Sequence, residues 1–346
     1  MLKVGIIGCG KITEVRHAPE YAENPHCRLT AFYDVIPEKA QKMAEQYGGR
    51  AYGSIEELLA SDVEAVSVCV ANAYHAQVAI QALRAGRHVL CEKPMATTLE
   101  DCEAMVREAD NAGKFLMIGL NQRLAKAHAR AKEILDSGEL GKLIAFQTKF
   151  CHPGPEGWTG RKDSWFFDKR VAFFGAMADL GVHKTDLIYY LTGQKIVRTS
   201  AVIATLDKKF PDGRPITVDD NAFCIYTLES GAVGTMHVSW TDYGAEDNST
   251  KLYCTEGVIR MYDDPKYSLI VEKRDGEVIP YELDLLTSNK EQTSGGRTST
   301  GVIDSFVNSI VRGTPSVLTG ESAIHAMKVI FANESSCLAG ASVDIK

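Results

Sequence analysis

The sequence predicts a two-domain α/β protein, in which a doubly wound parallel sheet is followed by an α+β domain with a large, mainly antiparallel open sheet. Short strands that are apolar on both faces alternate with helical segments over residues 1–120. After about residue 142, β-branched or alternating strands follow closely spaced turn signals. The 346-residue chain is also longer than one typical core requires.

The first domain is predicted for residues 1–120. Several of its helices end at a glycine, such as Gly48, Gly86 and Gly113. In chain order we predict a strand at 2–7, a helix at 12–22, a strand at 28–33, helices at 37–47 and 55–60, a strand at 65–70, a helix at 74–85, a strand at 88–91, a helix at 99–112 and a strand at 115–119. Such alternation indicates a parallel sheet covered by helices on both sides.

The second domain is predicted for residues 121–346. We predict its strands at 143–150, 222–228, 233–240 and 251–254, and its helices at 177–191, 302–311 and 321–338. The segment 151–170, rich in Gly, Pro, Trp and charge, is predicted to be an ordered functional loop. The segment 286–301, rich in Ser, Thr, Asn and Gly, is predicted to be a mobile loop.

Composition narrows the classes of partner. The formal net charge of -7 argues against nucleic acid, which requires clustered Lys and Arg. The apolar runs are too short to span a membrane. Nine singly scattered cysteines without zinc spacing, and a first residue that leads directly into a strand, predict a cytoplasmic protein without a structural metal.

A glycine-rich turn follows the first predicted strand. In the run from Gly5 to Thr13, Gly8 allows a tight turn and Gly10 lets the backbone approach a pyrophosphate at the helix N-terminus. Lys11 and Ile12 open that helix, and we predict that they also contact the nucleotide. The third glycine of the usual fingerprint is replaced by Thr13, so an ordinary strand–helix turn is the alternative.

Asp34 ends the second predicted strand, about 25 residues after the glycine turn. A carboxylate there accepts hydrogen bonds from ribose hydroxyls and repels a 2′-phosphate. Val35 follows, and no arginine stands beside it to bind such a phosphate. The sequence therefore predicts NAD rather than NADP as the cofactor; a solvated aspartate is the alternative.

Two more strand ends carry polar residues. The strand at 88–91 ends in Glu92, Lys93 and Pro94, which suits a catalytic ammonium beside the cofactor, with a solvated surface lysine as the alternative. After the strand at 65–70, we predict that Ala71, Asn72 and His75 face the same edge and contact the cofactor. The last two residues could instead cap the following helix.

The helix predicted at 177–191 carries Asp179 and His183. Their four-residue spacing places both side chains on one helical face, where they can converge on a substrate. A histidine is also the side chain best suited to cycle a hydroxyl proton near neutral pH. A structural histidine is the alternative, and Asp186 is predicted to be a helix-surface or structural residue rather than a catalytic one.

At this point the chain resembles the glucose–fructose oxidoreductase, inositol dehydrogenase and rhizopine-catabolism (Gfo/Idh/MocA) family over essentially its whole length. The resemblance rests on the glycine turn, the strand-end Asn72 and His75, the Glu-Lys-Pro motif and the Asp-x-Gly-x-His helix. It implies an N-terminal Rossmann domain, and a C-terminal domain whose sheet makes a homodimer or homotetramer. It also implies that the Lys93–Pro94 peptide is often cis, and that sugars, cyclitols or polyols are substrates.

By the same resemblance, Lys93 is the catalytic lysine, and Asp179 and His183 handle the substrate. One departure stands out: Phe173 and Phe174 occupy positions where the family often has glycine, and only Gly175 remains. The two phenylalanines either narrow the pocket or supply an apolar wall.

The chemistry itself requires a group to take the hydroxyl proton and a hydride acceptor near the carbinol carbon. We expect Lys93 and His183, from different domains, to flank the nicotinamide. Asp179 is expected to hold His183 or a neighbouring hydroxyl. Glu92 is expected to orient Lys93 or the nicotinamide. Further predicted substrate contacts are Arg123, Trp158, Arg161 and Trp165, with plain loop packing as the alternative for each.

The leading hypothesis is thus an NAD-dependent dehydrogenase that acts on a secondary alcohol of a sugar, a glycoside or an inositol. Two alternatives stay open. One is a glycoside-cleaving enzyme that uses tightly bound NAD transiently, and the other is a cofactor-sensing regulator. Retention of Lys93 and His183 argues against a pure sensor.

Overall fold

The computed structural model describes residues 1–160, 163–286 and 299–346. The chain forms two compact units, Met1–Asn121 with Arg297–Ile324, and Gln122–Gly296 with His325–Lys346. Most of the loop predicted to be mobile, at 287–298, lies outside the described residues.

The sheet of the first unit has six strands, all parallel. Its order is β3-β2-β1-β4-β5-β6, the doubly wound Rossmann order. This confirms the predicted fold class of the first domain, although the two-residue β3 was not predicted. The strands are β1 Leu2–Ile7, β2 Cys27–Tyr33, β3 Arg50–Ala51, β4 Ala65–Val68, β5 His88–Cys91 and β6 Leu116–Ile118.

The helices that follow these strands start and stop where local chemistry requires. Ser54 and Thr98 each accept a hydrogen bond from a backbone N–H three residues on, and Gly113 ends a helix in the left-handed conformation. The helices are α1 Ala18–Glu23, α2 Pro37–Tyr47, α3 Ile55–Ala60, α4 His75–Arg84 and α5 Leu99–Ala112. A π-helical segment, Thr13–His17, precedes α1, and a 3₁₀ turn, Asn72–Tyr74, precedes α4.

A late segment of the chain returns to the first unit, whereas the prediction placed every residue after 120 in the second domain. Here α10, Val302–Arg312, packs against α1. The Asn24 side chain donates to Asp304 at 2.7 Å, and the backbone N–H of Ile118 donates to the carbonyl of Leu318 at 3.0 Å. These long-range contacts have no local signal in the sequence.

The second unit contains a nine-stranded sheet, ordered β14-β13-β12-β11-β7-β10-β9-β8-β15. Neighbouring strands are antiparallel except β7 and β10, which pair in parallel. The predicted large, mainly antiparallel sheet is therefore confirmed. The strands are β7 Leu143–Cys151, β8 Ile196–Ala204, β9 Asn221–Leu228, β10 Val233–Ser239, β11 Thr250–Cys254, β12 Gly257–Met261, β13 Leu269–Lys273, β14 Val278–Tyr281 and β15 Val343–Asp344.

Helices cover one face of this sheet. The π-helical segment Met177–Gly181 contacts β7, β9 and β10, and the α-helix that continues it also packs on β7. The described part of the predicted loop at 151–170 contains two short helical segments, and a third begins at Lys169. The helices with residues in this unit are α6 Lys126–Ser137, α7 Pro155–Thr159, α8 Lys169–Ala172, α9 Val182–Thr192 and α11 Gly320–Ala339, with a 3₁₀ turn at Trp165–Phe167.

The other face of the nine-stranded sheet is exposed and apolar. Along β9, Phe223 and Ile225 are exposed while Cys224 and Tyr226 are buried, as the two-residue period of a strand requires. Val202 lies opposite Phe223, whose ring stacks on His237 at 4.2 Å. Val233 and Tyr253, which both pair with Ala145, are further exposed apolar residues on this face.

All nine cysteines are free thiols. Among the helices of the described ranges, none has both the length and the apolar character that crossing a membrane requires.

Candidate active site

The glycine turn of the first unit is built as predicted. Gly8 has φ +98°, and a Cβ there would lie 2.4 Å from the carbonyl oxygen of Cys69, so a side chain is excluded. A Cβ on Gly10 would meet nothing within 4 Å, which leaves open space above the start of the helix. The Thr13 hydroxyl donates to the carbonyl of Gly8 at 2.6 Å, so the residue that replaces the third glycine closes the turn.

Asp34 stands beside this turn. Its Oδ2 accepts from the backbone N–H of Cys9 at 2.7 Å, and its Oδ1 accepts from that of Ile36 at 2.8 Å. Each oxygen keeps a second lone pair for another donor. Burial, and then the Asp34 charge, raise the pKa of the Cys9 thiol to about 12, so Cys9 is an inert neighbour at neutral pH.

These features fit a dinucleotide. The half-buried Lys11 and Ile12 lie in the first helical turn after the open space at Gly10, where a helix N-terminus favours an anion. Asp34, at the end of β2, is placed for ribose hydroxyls. Ala71 and Asn72 follow β4 at the same carboxyl edge, with Asn72 buried. A nicotinamide cofactor bound here would supply the hydride acceptor.

The turn after β5 carries Lys93, which is half-buried and joined to Pro94 by a cis peptide bond. The backbone N–H of Lys93 donates to Glu92 Oε2 at 3.3 Å. Glu92 is predicted to orient Lys93, and this bond holds the backbone of that residue.

Backbone carbonyls occupy both ring nitrogens of His75, and the cofactor contact predicted for this residue stays a prediction. Its ring is 1% exposed and lies between two carbonyl oxygens, with Nδ1 2.7 Å from that of Pro94 and Nε2 3.0 Å from that of Val70. Burial lowers the pKa of His75, while these two carbonyls oppose the shift. His75 therefore links the end of β4 to the Lys93 turn, because its polar atoms are occupied by the backbone.

Sequence reasoning missed a buried polar chain behind Glu92. Tyr21 Oη lies 2.7 Å from Ser67 Oγ, Ser67 Oγ lies 3.1 Å from His17 Nδ1, and His17 Nε2 lies 2.7 Å from Glu92 Oε1. His17 and Ser67 stand 50 residues apart in the chain. A histidine in the first helix, seven residues or about two turns after Gly10, is the signal that could have indicated it.

In the second unit, Asp179 and His183 lie on consecutive helical segments and are 8% and 7% exposed. The indole N–H of Trp240 donates to Asp179 Oδ2 at 3.2 Å. The His183 ring lies 6.3 Å from that of Phe150. Asp179 stands in the π-helical segment, a distortion that is frequent at functional sites. Trp240 is a partner that no sequence pattern indicates.

Asp219 anchors the start of this helix. Its two carboxylate oxygens accept from the backbone N–H groups of Gly175 and Met177, both at 2.7 Å. Burial raises the pKa of Asp219 to about 6, against the lowering effect of these bonds. A Cβ on Gly175 would lie 1.8 Å from the carbonyl oxygen of Asp219, which explains why glycine remains at this position.

The two phenylalanines that precede Gly175 show what replacing glycine entails. Phe173 has φ 72° and ψ -62°, and the N–H of Phe174 donates to the carbonyl of Ala172 at 3.0 Å, which defines a γ-turn centred on Phe173. The Phe173 ring contacts those of Phe174 and Phe331, at 4.5 and 5.9 Å. A bulky residue thus occupies backbone space that favours glycine.

Arg123 is not exposed for the substrate contact that the sequence predicts. It is 5% exposed and donates through Nε and Nη2 to the two carboxylate oxygens of Asp186, at 2.7 and 2.5 Å. Two parallel bonds of this kind form a strong bidentate pair. Asp186 is structural, as predicted, but it is buried rather than on the helix surface.

The remaining predicted contacts lie in the loop at 151–170. Trp165 is 36% exposed and stacks on Phe166 at 4.1 Å. Lys208 ties the start of this loop down through the carboxylate of Glu156 and the carbonyl of Pro153. Trp158 belongs to α7, but its side chain and the whole of Arg161 lie outside the described residues.

One buried cation stands next to His183. Lys184 is fully buried, and its ammonium donates to the carbonyl of Asn248 at 3.0 Å and the hydroxyl of Thr250 at 3.3 Å. Burial lowers its pKa to about 7, although Asp247 opposes the shift. Across the described ranges, no group of three or more His, Cys, Asp or Glu side chains is arranged to hold a metal ion.

Residues 2–120 match the model of an oxidoreductase family with an NAD-binding Rossmann fold, and residues 128–260 match that of the Gfo/Idh/MocA C-terminal domain. The chain is 28% identical over 292 residues to levoglucosan dehydrogenase of Pseudarthrobacter phenanthrenivorans, covering 75% of this chain and 73% of the relative. It is 23% identical to myo-inositol 2-dehydrogenase of Thermotoga maritima, covering 97% and 96%. Among solved structures, an aldose–aldose oxidoreductase from Caulobacter crescentus superposes with a TM-score of 0.83 at 26% identity over 99% of each chain.

Proposed function

Because this chain belongs to the Gfo/Idh/MocA oxidoreductase family, we propose that it is an NAD-dependent dehydrogenase acting on a secondary alcohol of a sugar, a glycoside or an inositol. The observation that carries the proposal is in the first unit. The carboxyl edge of one parallel sheet holds the Gly8 turn, Asp34 and the Lys93 turn together. Ligands bind at this edge in doubly wound sheets.

We propose that Lys93 and His183 handle the substrate hydroxyl. An ammonium donates a hydrogen bond to that oxygen and stabilises the negative charge that develops there, while the imidazole cycles the proton. Asp179, held by Trp240, is suited to bind a neighbouring hydroxyl. The meeting of Lys93 and His183 at one substrate stays a prediction.

The substrate class is supported by the relatives. Two relatives are named as dehydrogenases of levoglucosan and of myo-inositol. Trp165 offers a partly exposed indole of the kind that packs on a sugar face. We propose no particular sugar or carbon.

The test is a panel of sugars, glycosides and inositols, with NADH formation followed by absorbance. We expect Lys93→Ala to lose at least about 100-fold in kcat while NAD still binds. Lys42→Ala is the matched control, since Lys42 is an exposed lysine of the same unit that pairs with Glu14. Full activity of Lys93→Ala across the panel would refute the catalytic assignment, and bond cleavage without net NADH would favour the glycoside-cleaving alternative.

We also propose that NAD is preferred to NADP. Asp34 would place a carboxylate against the 2′-phosphate of NADP, and we expect NADP to bind at least about 10-fold more weakly. Calorimetric titration with both cofactors measures this ratio, and equal affinities would contradict the role given to Asp34.

The exposed sheet face is proposed as the contact between copies of this chain. An apolar patch that includes Val202, Phe223 and Ile225 is unusual on a monomer surface. We expect Ile225→Asp to reduce the molecular mass measured by light scattering, whereas Leu206→Asp, at an exposed position outside the strands, leaves it unchanged. A monomeric wild-type protein would refute the proposal.

A further inference from the structure

We propose that His17 is a positioning residue for Lys93 and that it acts through Glu92. The inference rests on the proposed function, since it assigns a second layer of residues to the same site. His17 lies in the helix that begins at the glycine turn, and Glu92 and Lys93 follow β5. The contact between His17 and Glu92 therefore connects the glycine turn to the Lys93 turn.

The geometry leaves Glu92 little freedom. Its Oε1 lies 2.7 Å from His17 Nε2, and its Oε2 accepts from the backbone N–H of Lys93 at 3.3 Å. A Cβ on Gly119 would stand 3.2 Å from Oε2, so the chain after β6 walls the carboxylate on another side. With His75 holding the carbonyl of Pro94, the Lys93 turn is fixed on both sides of the lysine.

The polar chain ends inside the protein, which indicates its role. From Glu92 it runs through His17 and Ser67 to Tyr21, and the last two side chains are fully buried. A proton relay needs an exit to solvent, and the Tyr21 end does not provide one. Ser67, which is bonded directly to His17 Nδ1, therefore orients the imidazole, and the chain does not carry protons away from the site.

The pKa shifts of His17 and Glu92 also support the positioning role. Burial disfavours a charged His17, but Cys69 and Glu92 raise its pKa well above 6.5. Burial likewise disfavours the Glu92 carboxylate, but His17, then Lys93 and His75, lower its pKa to about 2. Glu20, from α1, also interacts with His17. Both shifts favour the imidazolium–carboxylate form of the His17–Glu92 pair beside Lys93.

The experiment compares three variants of the full-length protein. His17→Leu removes the donor to Glu92, and we expect kcat to fall by about 10- to 100-fold while KM for NAD stays within about twofold. His17→Gln keeps an N–H donor near the Nε2 position and should recover most of kcat. Tyr21→Phe, at the far end of the chain, is the control and should stay within about threefold of wild type.

The pH profile separates positioning from simple loss of stability. Without the imidazolium, burial favours a protonated Glu92, so the acid limb of kcat should move up by at least about one pH unit in His17→Leu and not in Tyr21→Phe. Equal thermal destabilisation of both variants, with an unchanged acid limb and kcat, would show that His17 is merely structural.

A measurement that needs no turnover distinguishes the positioning role of His17 from the proposed dehydrogenase activity. We expect the ¹⁵N shifts of the His17 ring to report an imidazolium at pH 7.5 in the wild type and a neutral ring in Glu92→Gln. A wild-type His17 ring that carries no proton on Nε2, and so cannot donate to Glu92, would overturn the inference even if the enzyme is active. An imidazolium in a protein that turns over no polyol would instead count against the proposed function alone.

Discussion

The Lys93 turn of the first unit and the His183 helix of the second are held by different means. Beside Lys93, the buried cation His17 has a carboxylate partner in Glu92. Beside His183, the buried cation Lys184 donates to two neutral oxygens, from Asn248 and Thr250. Cys69 and then Glu92 raise the pKa of His17 against its burial, whereas burial lowers the pKa of Lys184 to about 7.

The difference shows that the partner of a buried charge decides whether the charge persists. Burial alone disfavours every ion, and a nearby opposite charge with a good hydrogen bond compensates for the desolvation. The Lys93 turn therefore depends on an electrostatic pair. The His183 helix depends on tight backbone packing at Gly175, a buried carboxyl at Asp219 and a lysine that is easily neutralised.

The largest effect should come from the tight packing that starts the His183 helix. In Gly175→Ala the new Cβ would overlap the carbonyl oxygen of Asp219, so that segment must move. We expect a loss of at least about 4 kcal/mol in the free energy of unfolding. Gly157→Ala is the control, because a Cβ there meets nothing within 4 Å. Denaturant titrations that agree within about 1 kcal/mol would show that the backbone adapts.

The second prediction concerns the buried lysine. The folded-state pKa of Lys184 lies below the usual 10.5, so the folded protein binds fewer protons than the unfolded chain between about pH 7 and 10.5, and stability rises with pH in that window. Lys184→Met lacks this titration. The quantity to compare is the unfolding free energy of Lys184→Met minus that of the wild type. We expect this difference to be highest below pH 7 and to fall by on the order of 3 kcal/mol toward pH 10.

Unfolding free energies of both proteins across pH 6–10 test this, since other titrating groups cancel in the difference. A difference that does not vary with pH would mean that Lys184 keeps an ordinary ammonium. In the first unit, His17 should show no comparable penalty near neutral pH, because Glu92 compensates for its burial.

The sequence predicted most of the first unit because its determinants are local. Apolar strands, glycine caps and the Gly8–Gly10 turn each depend on neighbouring residues, so the predicted helices at 37–47, 55–60 and 99–112 agree with the structure. The return of residues 297–324 to this unit was missed because it depends on contacts between residues about 280 positions apart, such as Asn24 and Asp304.

The site residues divide in the same way. Gly8, Gly10 and Asp34 follow from strand ends and turn geometry. The partners Trp240 and Asp219 come from distant segments. Ligand contacts were predicted for His75 and Arg123 because the sequence does not show that a backbone carbonyl and a carboxylate already bind them. Residue type predicted which chemistry is available, but not which groups are already satisfied by the fold.

A third prediction separates ligand binding from folding in the glycine turn. Gly10→Ala adds a Cβ into open space, so the unfolding free energy should change by less than about 1 kcal/mol. That Cβ would occupy the approach to the pyrophosphate, and we expect NAD affinity to drop by at least about 10-fold, or 1.4 kcal/mol. Calorimetric titration beside thermal unfolding measures both quantities. Unchanged affinity would place the pyrophosphate elsewhere.

The smallest expected effect isolates the strain at Phe173. Both Phe173→Gly and Phe173→Ala remove the ring and its contacts with Phe174 and Phe331, so only the Cβ differs between them. At ordinary positions alanine is the more stable of the two by about 0.5–1 kcal/mol, because glycine loses more backbone entropy on folding. At φ 72° the order should reverse, with Phe173→Gly more stable by about 1 kcal/mol. Denaturant midpoints of the two variants decide the sign, and a more stable Phe173→Ala would show that the γ-turn stores no strain.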